Sequence, residues 1–461
     1  MTYDLVIVGA GPAGLGAAAE ARGAGLSVLV LDEQTAPGGQ IYRQVERITE
    51  REPARAEVLG PDYAHGAALV GEFRKSGADY LPEAMVWQIE PGKVWYLKNE
   101  QAVGVRAKRV LMATGSIERP MTRKGWTLPG VMSAGGVQIL LKTSGIIPGP
   151  DTVLIGSGPL LYLIAGQILK AGGKLQAIVE TVPSSRYAAA ARHLPAAIGT
   201  GYLSKGVKML LDLRRMGVRI YRGASDLEVL GEKAAEAVSF QHKGRKLTLA
   251  TSTVVLHEGV IPNQQITRLT ECAHKWNAAQ ACFVPETDVW GNASVEGLMI
   301  AGDSAGIGGA WAAEVGGRLA GLEAARAAGR LDEGSRDAKA QALLTRHRAL
   351  TKGRGFLEVL YAPSAPVPQD NDTIVCRCEE ITAGQIREAV AIGGLGPNQV
   401  KSYLRCGMGP CQGRMCGPVV SALVAEVRGV SADEVGYFRI RPPLKPIPLS
   451  AIANAALGDD K

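Results

Sequence analysis

Cysteine is missing from the first 271 residues, and five of the seven thiols fall between Cys376 and Cys416. That distribution excludes a disulfide-stapled scaffold and points to metal in a reducing compartment. Long apolar runs are missing too: a membrane span needs about 18 residues, and the longest candidate stretch, residues 159–169, already contains Gly166 and Gln167. The start of the chain carries no basic segment followed by an apolar stretch and a cleavage-like site, so a cytoplasmic location is expected. No block of one charge sign exists. The 51 basic and 44 acidic residues are interleaved and leave a net charge of +7, which argues against nucleic acid and for an acidic ligand. Gly-x-Ser-x-Gly, His-Glu-x-x-His and P-loop patterns are absent, which leaves hydrolase and kinase readings without support. The histidines, at positions 65, 193, 242, 257, 274 and 347, show no ligand spacing.

Glycine is what the sequence has in excess. It supplies 58 of 461 residues, close to twice the average share of about 7%, without the period of a fibrous chain. The excess belongs in turns and nucleotide loops. Residues 6–14 (VIVGAGPAG) are echoed by residues 153–161 (VLIGSGPLL), an offset of 147. Each copy reads as strand, glycine turn and alanine-rich helix, followed by a second apolar strand that ends in an acid, Asp32 or Glu33 in the first copy and Glu180 in the second. Two nucleotide-binding βαβ units are expected.

In the first unit Gly9, Gly11 and Gly14 have separable roles. Gly9 permits the tight turn, Gly11 lets backbone N–H groups approach a pyrophosphate at the start of the helix through Pro12 and Ala13, and Gly14 allows close packing of helix on strand. Asp32 ends the second strand, where a carboxylate accepts hydrogen bonds from ribose hydroxyls, and Glu33 is the alternative if that strand ends one residue later. Further along, Pro37-Gly38-Gly39-Gln40 suits a loop running along a flavin. Residues 109–115 form a strand ending in Ala113, Thr114 and Gly115, and Gly302-Asp303 supplies another acid at a strand end. The second unit departs from the fingerprint: Gly156 and Gly158 are present, but Leu161 stands where the third glycine belongs and narrows room for a pyrophosphate. NAD(P) binding through Glu180 is therefore not expected. Trp311 is read as a helix-core residue, and Cys272 and Cys282 as structural.

The C-terminal cysteines form two pairs in sequence. Cys376 and Cys378 are read as lying on one extended segment, with side chains on the same face. Cys406 and Cys411 flank a glycine loop. Four thiolates in two pairs suit a [2Fe-2S] cluster. Structural zinc is the competing reading, although its paired ligands usually stand further apart than C-x-C. Cys416 is a fifth thiol that either replaces Cys406 or fills space as a small buried residue.

Residues 1–330 resemble the two-dinucleotide flavoproteins of the glutathione reductase type, and the cysteine segment resembles the bacterioferritin-associated-ferredoxin type of domain. Disulfide reduction is excluded, since members that perform it carry a cysteine pair near the flavin. The combination of Asp32-Glu-Gln-x-x-Pro-Gly-Gly39-Gln40, Ala301-Gly-Asp-x-Ala-Gly-Ile-Gly-Gly309-Ala310, Cys376-x-Cys378 and Cys411-Gln-Gly413-Arg414 resembles the α (A) subunits of heteromeric amine and imino-acid dehydrogenases. These include opine oxidases, D-hydroxyproline dehydrogenase, the hydrogen cyanide synthase subunit and, more distantly, heterotetrameric sarcosine oxidase.

The resemblance implies an α/β two-dinucleotide-binding flavoprotein with a small C-terminal [2Fe-2S] domain, holding FAD and the cluster. It implies amine oxidation on a separate FAD-bearing β subunit of the D-amino-acid-oxidase type, with room for a small third subunit and for FMN at a subunit interface. No catalytic residue is assigned to this chain. The expected division is an FAD domain at 1–118 and 286–350, a second nucleotide-binding-like domain at 119–285, a linker at 351–372, the cluster domain at 373–428 and an extended tail at 429–461. The competing function is an NAD(P)H-dependent reductase passing electrons through its own [2Fe-2S] centre.

Overall fold

The computed structural model describes residues 2–363 and 367–457, so part of the expected linker (364–366) and the end of the tail (458–461) lie outside the described residues. The first sheet has the order β3-β2-β1-β6-β5-β4, with β1 Thr2–Val8, β2 Val28–Leu31, β3 Asp79–Leu81, β4 Met85–Glu90, β5 Lys93–Lys98 and β6 Gln101–Met112. β1, β2 and β3 are parallel, as a right-handed strand-helix-strand connection requires. β1 and β2 are apolar runs whose core residues are almost fully buried, because helices cover one face and the cysteine domain packs on the other.

β6 does two jobs. Its first half pairs antiparallel with β5, and its second half lies between β1 and the strand Leu298–Ile300. That last strand brings the chain back to the first sheet after an excursion through a second one. The helix Ala310–Ala327 then packs against the helix Pro12–Gly23 at glycines: a Cβ on Gly317 would sit 1.9 Å from the Ala13 carbonyl oxygen, and one on Gly321 would sit 2.6 Å from that of Ala17.

The second sheet is parallel, in the order Ile220–Arg222, Ala177–Glu180, Val153–Ser157, Val254–Glu258 and Val131–Ser133. Three antiparallel strands between Ser225 and Ala250 cover it. The chain crosses from the first sheet toward the second along Ser116–Glu118 and returns along Val260–Pro262, and these two segments pair with each other.

The expected linker is partly helical. Arg354–Leu360 forms a helix because Phe356, Val359 and Leu360 find an apolar partner surface on Val182 and Ala190. The tail is likewise not uniformly extended: Ala432–Val435 and Leu449–Ala453 are short helices, and Ala456–Leu457 pairs with β6 at Val103 and Gly104. Trp311 is half-buried and stacks on His65 at 3.8 Å between ring centres instead of filling a helix core. Arg346 lies over its ring. Among the described residues no helix is long and apolar enough to cross a membrane.

Candidate functional site: a flavin nucleotide cradle beside a thiol cluster

At the end of β1, Gly9 adopts φ +107°, and a Cβ there would lie 2.5 Å from the Ala113 carbonyl oxygen. The first glycine turn and residues 113–115 are therefore in backbone contact. A Cβ on Gly14 would lie 1.9 Å from the Gly9 carbonyl oxygen, so helix and strand touch as the spacing suggests. Gly39 packs on Gly11, with its would-be Cβ 2.8 Å from the Gly11 Cα. The helix Pro12–Gly23 starts at Gly11 with no side-chain cap, leaving its N–H groups to an anion.

Asp32, not Glu33, faces the turn. It is 7% exposed, and its Oδ2 accepts from Ala10 N–H at 2.5 Å and its Oδ1 from Gln34 N–H at 2.7 Å. Burial pushes its carboxyl upward from the usual range while the two N–H donors oppose that. Glu33 points outward and pairs with Lys445. Across the cradle, Gly302 has φ +76° and abuts Ala13, and Asp303 Oδ1 accepts from the N–H groups of Gly308 and Gly309 at 2.9 and 3.0 Å.

Thr114 Oγ1 and Asn263 Oδ1, on either side of Gly115, are buried without a hydrogen-bond partner. Asn263 donates its own N–H to Gly115 O. Buried polar atoms are ordinarily satisfied, so these two fit a polar ligand such as a flavin nucleotide.

A residue the sequence did not flag completes this side. Lys142, from the helix Ala134–Ser144, is buried and donates to the carbonyls of Gln40 and Ile41 at 3.0 and 2.9 Å and to Gln138 Oε1 at 3.0 Å. Burial lowers its ammonium to about 7. Gln40 itself takes a hydrogen bond from Arg43 and is exposed.

All five clustered cysteines meet, but not in the pairs the spacing suggests. The strand Ile374–Cys376 stops at its first cysteine and the chain turns through Arg377 to Glu380, which has φ +54°. Cys378 is therefore not on the extended face with Cys376. Instead Cys376, Cys406 and Cys416 form a buried trio with all Sγ atoms within 4.8 Å of one another. Exposed Cys378 and half-buried Cys411 form an outer pair in hydrogen-bond contact. Gly409 makes this possible, since a Cβ there would lie 2.2 Å from the Cys378 Cβ.

Thiol donation from Cys406 and Cys416 lowers Cys376 to about 2, and those two thiols are pushed up in turn. Cys416, which was open to a reading as a small buried apolar residue, is thus a member of the sulfur group. It occupies the N-cap position of the helix Gly417–Arg428 without a side-chain cap hydrogen bond, and the positive end of the helix dipole there works against the upward push from its neighbours and burial. Cys272 and Cys282 are buried and do not join the sulfur trio.

At the second glycine turn, Gly156 and Gly158 have φ +130° and +114°. A Cβ on Gly158 would stand 3.2 Å from His257 Nε2, and His257 Nδ1 lies 2.6 Å from Glu118 Oε1. Leu161 is fully buried. Glu180 is buried as well, its Oε1 taken by the Tyr187 hydroxyl at 2.5 Å, with Arg222 Nε 3.6 Å from Oε2.

The paired nucleotide folds, the flavin cradle and the thiol cluster define a two-dinucleotide flavoprotein carrying its own iron-sulfur domain. Family-level comparison matches residues 3–329 to pyridine nucleotide-disulphide oxidoreductases and residues 374–426 to the BFD-like [2Fe-2S] binding domain. The chain is 43% identical to the A subunit of opine oxidase from Rhizobium meliloti (strain 1021), across 98% of both chains. It is 31% identical to hydrogen cyanide synthase subunit HcnB of Pseudomonas aeruginosa, across 98% of this chain and 99% of that one. Among solved structures, L-proline dehydrogenase from P. horikoshii superimposes with a TM-score of 0.70 over 98% of this chain and 79% of that one, at 18% identity, a likeness of fold. The chain belongs to the pyridine nucleotide-disulphide oxidoreductase family, in the branch that includes the opine oxidase A subunits and carries a BFD-like domain. It is an FAD- and [2Fe-2S]-containing electron-transfer subunit of a multisubunit oxidoreductase.

Proposed function

We propose that this subunit serves a dehydrogenase acting on the C–N bond of secondary amines or imino acids of the opine type, and that the bond is oxidised on a partner. Removing two electrons and two protons from a CH–NH unit leaves an imine, which water hydrolyses to a carbonyl compound and an amine. The partner we infer is an FAD-bearing subunit of the D-amino-acid-oxidase type. The observation that carries the reading is the linkage of the cysteine loop to the ribose end of the flavin cradle in a single chain: Arg414 holds the Cys411 and Leu444 carbonyls, and the next residue, Lys445, pairs with Glu33. The match to the A subunit of opine oxidase over its full length supports the substrate class.

FAD accepts electrons in pairs and a [2Fe-2S] cluster exchanges them singly, so the two together convert one regime into the other. The chain's own residues do the holding. The turn at Gly9, Gly11 and Gly14 with the helix through Pro12 and Ala13 receives the pyrophosphate, and Asp32 receives the adenosine ribose. Asp303 and residues 113–115 line the remainder, while Lys142 fixes the Gln40 loop from the second domain. For the cluster, Cys376 from the trio and the outer pair Cys378 and Cys411 are three of four ligands. Cys406 and Cys416 compete for the fourth place, and the helix beneath Cys416 favours it.

An N-substituted amino acid such as an opine, supplied with a dye acceptor, should be oxidised by the co-purified complex and left untouched by the isolated chain. Turnover by the isolated chain overturns the division of labour. The reading as an NAD(P)H-dependent reductase is disfavoured by Leu161, fully buried where the third glycine of the fingerprint belongs, although Tyr187 takes only Oε1 of Glu180 and leaves Oε2 without a hydrogen bond. NADH added anaerobically to the isolated chain is expected to leave the flavin absorbance unchanged, and rapid bleaching reverses the choice.

A further inference from the structure

The tail leaves the cysteine domain and crosses the flavin domain on its way to β6. Where it crosses, Leu444 is 3% exposed and donates its N–H to the Trp87 carbonyl at 2.8 Å. The next residue, Lys445, pairs with Glu33, the neighbour of the ribose-facing Asp32. The segment is held from the other side by the loop that carries Cys411. Gln412 Nε2 donates to the Pro443 carbonyl at 2.5 Å. Arg414 donates through Nη2 to the Leu444 carbonyl at 2.9 Å and through Nη1 to the Cys411 carbonyl at 3.0 Å.

The helix Gln265–Leu269 adds a third attachment, with Gln265 Nε2 donating to the Gln412 carbonyl at 3.1 Å. Gln412 Oε1 and Gln265 Oε1 are buried and left without partners in this layer. One planar guanidinium thus ties the backbone of a cluster-loop cysteine to the backbone of the strap that lies over the ribose end of the flavin cradle. Arg414 reaches its two carbonyls from two different nitrogens of one rigid plane, Nη1 and Nη2, a spread of donors that the single nitrogen of a lysine does not reproduce.

We propose that Arg414 is a positioning residue that couples the two cofactor sites, so that FAD is retained more tightly when the cysteine loop is ordered around its cluster. The inference concerns how this chain holds its cofactors and is independent of which substrate the complex oxidises. The exposed pair of Lys445 and Glu33 contributes little by itself, since both side chains are more than one-third exposed. The coupling runs through the part-buried carbonyl contacts at residues 411, 443 and 444. By linkage the effect is reciprocal: if the cluster strengthens FAD binding by some factor, FAD strengthens cluster retention by the same factor.

The test uses the full chain loaded with both cofactors. FAD release, followed by recovery of flavin fluorescence on dilution, is compared before and after the cluster is destroyed by oxidation in chelator. The expected result is release faster by roughly tenfold once the cluster is gone, within the range common for coupled sites. Equal release rates overturn the proposal without any substitution being needed.

In the Arg414→Lys variant, which keeps the charge, the ratio of the two rates should fall close to one. The electron paramagnetic resonance signal of the reduced cluster should also shift on FAD removal in the parent and stay still in the variant. An undiminished ratio in Arg414→Lys removes Arg414 from the coupling and overturns its assignment. If that variant fails to hold its cluster, Gln412→Ala, which cuts only the Pro443 contact, provides the same comparison: a smaller drop in the ratio supports the coupling, and an unchanged ratio overturns it.

Discussion

At the scale of single residues, the glycines of the first turn separate steric roles that a motif alone blends. A Cβ on Gly14 meets a backbone oxygen that cannot move aside, so Gly14→Ala should destabilise the flavin domain by about 1–3 kcal/mol, read as a lowered unfolding midpoint. Gly11 has φ −78°, and its nearest neighbour to a would-be Cβ is 3.9 Å away. Gly11→Val should therefore fold and emerge without FAD, because the added methyls stand in the pyrophosphate's place; a normal flavin spectrum would move the site elsewhere. Among the thiols, Cys376→Ser and Cys416→Ser should abolish the visible absorption of the cluster, whereas Cys406→Ser should retain it with an altered reduction potential. Cys272→Ser and Cys282→Ser should leave the spectrum unchanged. Loss of iron in Cys406→Ser with retention in Cys416→Ser would exchange the roles of those two residues.

At the scale of elements, the helix Ala134–Ser144 matters through one side chain. The Lys142 ammonium is held at about 7 against an unfolded value of 10.5. Between these limits the unfolded chain binds more protons than the folded one, so stability rises with pH through this window and the penalty is fully present below it. From pH 7 to pH 9 the contribution is on the order of 2 kcal/mol. Urea titrations at the two pH values should show this gain in the parent and lose it in Lys142→Met. An identical pH dependence in both proteins would mean that the amine stays charged through its three acceptors.

Elements also mark the limit of what the sequence discloses. The glycine turns, the acid ending β2 and the crowding of cysteines were legible because each is local: a fixed spacing enforces a fixed backbone. Lys142 was not, since two of its three partners lie about a hundred residues away and the third, Gln138 one turn before it on the same helix, is an ordinary neighbour of a surface lysine. The stacking of Trp311 on His65 depends likewise on two helices meeting across the fold, whereas the hydrogen bond from Tyr187 to Glu180 is local and turns on how the helix Ser184–Ala191 folds back on the strand end. The pairing of Cys376 with Cys378 misled for the opposite reason. The alternation of an extended strand ends at Cys376, and the chain turns before it reaches Cys378.

At the scale of the whole molecule, the fold is organised around β6. Its upper half is flanked by β1 and Leu298–Ile300, and its lower half by β5 and the tail strand at Ala456 and Leu457. The position beside Val103 and Gly104 lies beyond the start of β1, so the tail fills a place the first strand does not reach. The cover over Trp87 and Trp95 is supplied by the same tail, through Ile447 and Ala451.

This arrangement has a consequence for biogenesis. During translation Val103 and Gly104 emerge long before Ala456 and Leu457, and a strand with an unpaired edge is a template for pairing with other chains. The nascent flavin domain therefore stays sticky until the ribosome has delivered the cysteine domain and the strap behind it. Ribosome-bound chains stopped before residue 440 should be captured by holding chaperones and cleaved readily by protease near β6, while the released chain that includes residues 456 and 457 should escape both. The order of synthesis thus makes the strand at Ala456 and Leu457 the seal on the first domain.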